Sequence, residues 1–256
     1  MKRRLVAFLS WIFLLATVPA AAAPALFLIH LTGGVYVAED YFYAKENSVV
    51  YVGRDHVTVV GATWTPATAA LLVAAVRKVT LMPITEVIDT NHDLDRAGGN
   101  AYFKSIGARI VSTQLTRDQL EQDGEESVRQ TRKLFPDYPS IPIVLPDETF
   151  AGDFTLQDGA VRAIYLGPSH KPDDIFVYFP QEKVLYGGCV LKPQLGNMDG
   201  ADLVEYPHTL RKLKDLHLAI TLIVAGHYSP VHGPDLIDRY LDMLAQYKKR
   251  GRGDTP

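Results

Sequence analysis

The 256-residue chain has one cysteine, no long apolar run beyond its first two dozen positions, no excess of positive charge, and no internal repeat or low-complexity linker. Each scarcity excludes something. A lone Cys189 cannot form a disulfide within the chain, so the core must hold without cross-links. Lys+Arg 26 against Asp+Glu 29 gives a net charge of −3. That balance argues against nucleic acid as the main partner, because phosphate binding needs concentrated positive charge. Neither a Gly-x-Ser-x-Gly elbow nor a Ser-x-x-Lys set is present, so nothing suggests a serine nucleophile. Nothing after Val18 reads as a membrane span.

What the N-terminus does contain reads as an export signal. Lys2, Arg3 and Arg4 form a positive start, Leu5 to Val18 an apolar run, and Ala20 to Ala23 a small-residue cleavage site. Residues 1–23 are therefore set aside as a signal peptide, and residues 24–256 are expected to form one domain, exported to the periplasm and free of the membrane after cleavage. Loss of the three basic residues lowers the net charge from −3 to −6. The remaining length is ample for one core and short for two full domains. A monomer is the default expectation. In an oxidising compartment a free thiol is a liability, so Cys189 is either a small buried hydrophobe or a metal ligand.

Strand-like and helix-like segments alternate twice along the chain. Segments 34–38, 48–52 and 56–60 read as strands, followed by a helix from Pro66 to about Lys78 and a strand from Ile84 to Ile88. A helix from Arg96 to Ile106, a strand at 109–112 and a charged helix from Thr116 to Phe135 complete the first half. The second half begins with strands at 143–145, 154–156, 161–165, 175–179 and 184–186. A helix at 206–213, a strand at 219–224 and a helix from Pro234 to about Lys248 follow. This order predicts an α/β fold in which two sheets pack together with helices outside, a four-layer αβ/βα sandwich. The Arg252-Gly253-Asp254 triplet reads as a frayed terminus rather than an adhesion motif.

Three residues that can ligate a metal follow predicted strands. Asp95 lies beyond the strand ending at Ile88, Cys189 beyond Tyr186 across Gly187-Gly188, and His227 beyond Val224. Loops at one edge of a sandwich converge, and an oxygen, sulfur and nitrogen set suits zinc while leaving a fourth position open. Each residue also has an ordinary reading: Asp95 as a helix cap, His227 and His170 as loop histidines.

The run Asn91-His92-Asp93-Leu94-Asp95-Arg96-Ala97-Gly98-Gly99-Asn100 resembles the metal motif of the class B (metallo-) β-lactamases. It is closest to their mono-zinc, carbapenem-selective subclass, in which Asn stands for the first His. Gly61 to Pro66, Leu166 to His170, Leu185 to Lys192 and Ala225 to Pro234 match further family segments in order, covering nearly all of the mature chain. The resemblance implies one zinc held by Asp95, Cys189 and His227, and hydrolysis of the β-lactam amide of a carbapenem. Lys192 would bind the substrate carboxylate, Asn197 would donate to the carbonyl oxygen or merely shape a turn, and Asn91 would line the substrate side. One departure stands out: the subclass pattern Asn-x-His-x-Asp has Asp93 at its centre here. Adjacent side chains of an extended segment point to opposite faces, so His92 is not expected to replace the missing imidazole. Asp95 or Asp93 would then orient and deprotonate the attacking water, with His170 polarising the other side. Asn91, Asp93 and His170 would make a poor second metal site. The 116–135 helix would wall the cleft or serve structure alone. A lactone or thioester hydrolase of the same fold, or a zinc protein weakened in catalysis by Asp93, are the alternatives.

Overall fold

The computed structural model describes residues 25–253, so the signal-peptide reading of 1–23 and the end of the Arg-Gly-Asp triplet lie outside the described residues. Along the chain, β1 (Leu26–Thr32), β2 (Val35–Asp40), β3 (Glu46–Val52) and β4 (Val57–Val60) lead to helix α1 (Pro66–Val76) and β5 (Ile84–Ile88). Two short helices, α2 (Leu94–Ala97) and α3 (Asn100–Ser105), precede β6 (Arg109–Thr113), the long α4 (Gln114–Leu134) and β7 (Glu148–Phe150). The second half holds β8 (Asp153–Leu156), β9 (Val161–Ile164), β10 (Phe176–Phe179), β11 (Val184–Gly188), α5 (Tyr206–Asp215), β12 (Leu222–Ala225), β13 (Val231–His232) and α6 (Leu236–Gly253). No described helix is long and apolar enough to cross a membrane.

Strands β1 to β7 form one sheet in sequence order, and β13-β12-β11-β10-β9-β8 form the other. The apolar runs explain why the sheets stack and are also covered outside. In β3, Val49 and Tyr51 face the space between the sheets while Val50 faces α1 and α3. In β10, Val177 and Phe179 join that same inter-sheet core while Phe176 and Tyr178 pack with α5 and α6. A strand with both faces apolar must be buried on both, and the helices supply the outer cover. The result is the four-layer αβ/βα sandwich expected from the sequence.

Three sequence expectations change. Segment 143–145 is not a strand: Pro142 and Pro146 flank it and cannot donate to a ladder, and Ile143 packs on Gly124 of α4 instead. Its place beside β6 goes to β7. The helix expected from Arg96 to Ile106 is split into α2 and α3 at Gly98-Gly99, whose backbone passes so close to the Trp64 and Ala62 carbonyls that no side chain fits. Asp95 lies inside α2, whose N-cap is Asp93, so capping does not occupy its carboxylate. Helix α4 buries Leu120 and Val128 and leaves Leu134 exposed. Val128 joins Trp64, Leu94, Tyr138 and Ile141 in a cluster that holds α2 from behind.

Candidate metal centre

Strands β11 and β12 run parallel as neighbours, with Gly188 paired to Ala225, so the residues after them leave the sheet side by side. Two glycines permit the close exit. Gly188 takes φ +50, and a Cβ on Gly226 would lie 2.5 Å from the Gly188 backbone. The Gly226 N–H donates to the Gly188 carbonyl across this gap at 2.9 Å. The first sheet approaches through Asn47, whose backbone N–H donates to Gly226 O and whose side-chain amide donates to Ala225 O, each at 2.8 Å. Helix α2, placed by β5, brings up Asp95 from the same sheet.

The three expected ligands meet there. One ligand atom from each of Asp95, Cys189 and His227 lies within 4.8 Å of the others. His227 Nε2 is 3.7 Å from Cys189 Sγ and 3.2 Å from Asp95 Oδ2. His227 Nδ1 donates to the Lys45 carbonyl at 2.9 Å, which orients the ring and turns Nε2 into the cluster.

Arg96, entirely buried, fastens this cluster to the fold. Its Nη1 donates to Glu46 Oε2 (2.9 Å), Asn47 O (2.9 Å) and the Tyr186 hydroxyl (2.6 Å), and its Nη2 to Gly226 O (2.8 Å). Nη2 also sits 2.8 Å from Asp95 Oδ2. Burial works against the Asp95 charge, but Arg96 and His227 hold its carboxyl well below the usual carboxylate range. Burial pushes Glu46 upward, against the pull of Arg96.

The residues fit a divalent ion. Asp95 Oδ2 is buried and, despite its close charged neighbours, accepts no properly aligned hydrogen bond. Charged neighbours at 2.8 and 3.2 Å stabilise this oxygen without an aligned donor, which leaves a lone pair free for a metal ion. Burial opposes protonation of His227, yet Asp95 and Cys189 outweigh it and raise the imidazole to about 10, so the cluster attracts positive charge strongly. A carboxylate, a thiol and an imidazole from three separate loops suit zinc in its open, three-ligand arrangement.

The opposite flank is tied down differently. Asn91 Nδ2 donates to Asp174 Oδ1 at 2.8 Å and its Oδ1 accepts the Asp93 N–H at 2.9 Å, so both ends of its amide are engaged by the protein. His92 turns away to Asp173, through its ring at 2.8 Å and its backbone N–H at 2.8 Å. Asp93, half-buried, pairs with Lys171 at 3.3 Å. Burial raises its carboxyl above the ordinary value, Lys171 pulls it down and Asp95 adds to the rise. His170 is 9% exposed, its Nδ1 has no hydrogen-bond partner, and burial with Lys192 and Lys171 nearby pushes it down to about 3. Lys192 is 3% exposed, enters no ion pair among the described residues, and burial lowers its ammonium. Asn197 is exposed, and its side-chain oxygen accepts the Asp199 N–H at 2.9 Å, the turn-shaping alternative.

Arg96, Glu46, Lys171, Asp173 and Asp174 escaped the sequence reading as parts of this centre. Signals were present for some: Glu46 stands two residues before the strand-like segment 48–52, and the Asp173-Asp174 pair directly precedes the one at 175–179. Acidic residues in such places need partners.

Fold and site together define a metal-binding α/β sandwich with its centre at the edge where the two sheets meet. The metallo-beta-lactamase superfamily model matches residues 44–227, and the chain belongs to that superfamily. It is 29% identical over 203 residues to "Metallo-beta-lactamase IND-1" of Chryseobacterium indologenes, covering 78% of this chain and 77% of that protein. With "Metallo-beta-lactamase type 2" of Bacteroides fragilis it shares 29% over 170 residues, 64% of this chain and 61% of that one. Among solved structures, the metallo-beta-lactamase from Pontibacter korlensis superposes with TM-score 0.75 at 21% identity, over 86% of this chain and 99% of that one. TMB-1 superposes with TM-score 0.77 at 19% identity, over 88% and 99%.

Proposed function

We propose that this chain is an exported β-lactamase that opens the amide of carbapenems with a single zinc ion. The observation that carries the reading is the meeting of Asp95, Cys189 and His227 around a buried carboxylate oxygen with no aligned hydrogen bond. The relatives named metallo-beta-lactamases supply the substrate class, and Asn91 in the position of the mono-zinc subclass supplies the carbapenem preference.

Asp95, Cys189 and His227 would hold the metal, which when bound would supply Lewis acidity toward the β-lactam group. Lys192 gives the substrate carboxylate a second cation; its buried ammonium has no ion-pair partner of its own to exchange for it. Of the two aspartates, Asp93 is the better proton acceptor. Asp95 is buried and held at 2.8 Å by Arg96, while Asp93 is 29% exposed and paired with Lys171 at a longer 3.3 Å. Asp93 takes a proton from the attacking water as its oxygen bonds to the carbonyl carbon, and returns it to the nitrogen when the C–N bond breaks. His170, neutral because of its burial, offers a hydrogen bond from the other side. Water is the nucleophile, so no covalent acyl-enzyme forms.

The test is carbapenem hydrolysis by the purified mature protein across a zinc titration, with metal content measured alongside. Turnover saturating at one zinc is the expected result. Turnover of lactones or thioesters alone, or bound zinc without any turnover, overturns the assignment. Export rests on Lys2 to Ala23; N-terminal sequencing of protein from the periplasmic fraction should find the chain beginning near residue 24.

A further inference from the structure

The Asp93 flank carries a feature with no part in the reaction described above. Lys171 follows His170 directly, and its ammonium stands 3.3 Å from Asp93 Oδ1 with both side chains mostly buried. The backbone around it is fixed. Its N–H donates to Asp174 Oδ2 at 2.6 Å, and its carbonyl accepts the Ser169 N–H at 3.0 Å. Asp174 is the same carboxylate that holds Asn91, so one buried side chain sets the position of both Asn91 and Lys171. With the Asn91 oxygen taken by the Asp93 N–H, the groups left on this flank to hold a second cation are Asp93 and His170. Asp93 already has its counter-ion. A metal arriving there would have to displace the ammonium or share its carboxylate, with a unit positive charge a few ångströms away.

We propose that Lys171 is a built-in second cation that neutralises Asp93 and keeps the centre to a single metal ion. The proposal rests on the reading that Asp95, Cys189 and His227 hold the first. The second positive charge is covalently part of the chain and always present. Specificity for one metal is then set by exclusion, through charge repulsion and an occupied ligand, as well as by a poor donor set.

The experiment is calorimetric titration of the full mature protein with zinc, with metal content measured after desalting, on wild type and on Lys171→Met, Lys171→Gln and Lys171→Arg. Wild type and the arginine variant should take up one equivalent and resist a second. The methionine or glutamine variant, whichever keeps the wild-type circular dichroism, should bind a second equivalent roughly tenfold more tightly or better, as removal of one partly screened charge requires. Adding Asp93→Asn to that variant should abolish the gain. If wild type takes one equivalent and neither neutral variant improves the second, the exclusion role is overturned while the metal reading stands. If wild type takes up no zinc, the reading beneath it fails first, and this proposal with it.

Discussion

The two flanks of the centre are made of similar residue types put to opposite use. On one, a buried arginine braces Asp95 without saturating it, and a backbone carbonyl orients His227, so both present ligand atoms to a common point. On the other, polar side chains are spent on one another: Asn91 on Asp174, His92 on Asp173, Asp93 on Lys171. The comparison teaches that a donor's identity does not make it a ligand. What counts is whether its lone pair is left unspent once the fold is satisfied.

Five substitutions test that contrast, ordered by expected effect. Cys189→Ala removes a proposed ligand from the open flank. Zinc affinity should fall by more than the roughly hundredfold that loss of a supporting partner costs, with the fold retained by circular dichroism. Tight metal binding by that variant would sink the whole assignment. Arg96→Met should destabilise the protein by about 3–5 kcal/mol in denaturant unfolding, because it strands buried carboxylates at Asp95 and Glu46. Its zinc affinity should drop by about ten- to a hundredfold, the cost of a lost supporting contact.

Asp93→Asn keeps the shape of the closed flank but removes the proposed base. We expect kcat for a carbapenem to fall by about a hundredfold, in the usual range for a general base, with zinc affinity nearly unchanged. An unaltered kcat would move the proton transfer to Asp95. Lys192→Ala should raise KM by about tenfold and touch kcat little, the pattern of a contact made equally in ground and transition states. His92→Gln provides the control. It should cost about 1–3 kcal/mol of stability by leaving Asp173 poorly paired, and leave zinc stoichiometry at the wild-type value. A changed stoichiometry would mean that His92 is a ligand after all.

Periodicity and composition were enough to foresee the sandwich, since a strand such as Phe176–Phe179, apolar at every position, admits few environments other than the middle of stacked layers. They also marked Asp95, Cys189 and His227 as residues following strands, and topology brings strand ends to one edge. Local pattern failed where a neighbour decided the outcome. Ile143 to Leu145 has strand composition, but its flanking prolines and the packing of Ile143 on α4 prevented pairing. The single expected helix after Arg96 broke because Gly98 and Gly99 pass under carbonyls from Ala62 and Trp64.

By itself the sequence determined the layer order and the absence of a disulfide within the chain, and it offered the three donor types that the fold brings together. Only the tertiary structure decided which polar groups would be spent: Arg96 finds Glu46 50 residues away and Gly226 130 residues away, and Asn91 finds Asp174 across 83. The reason is physical. Secondary structure follows from preferences that neighbouring residues settle among themselves, whereas a buried charge takes whatever partner folding places beside it, from anywhere along the chain.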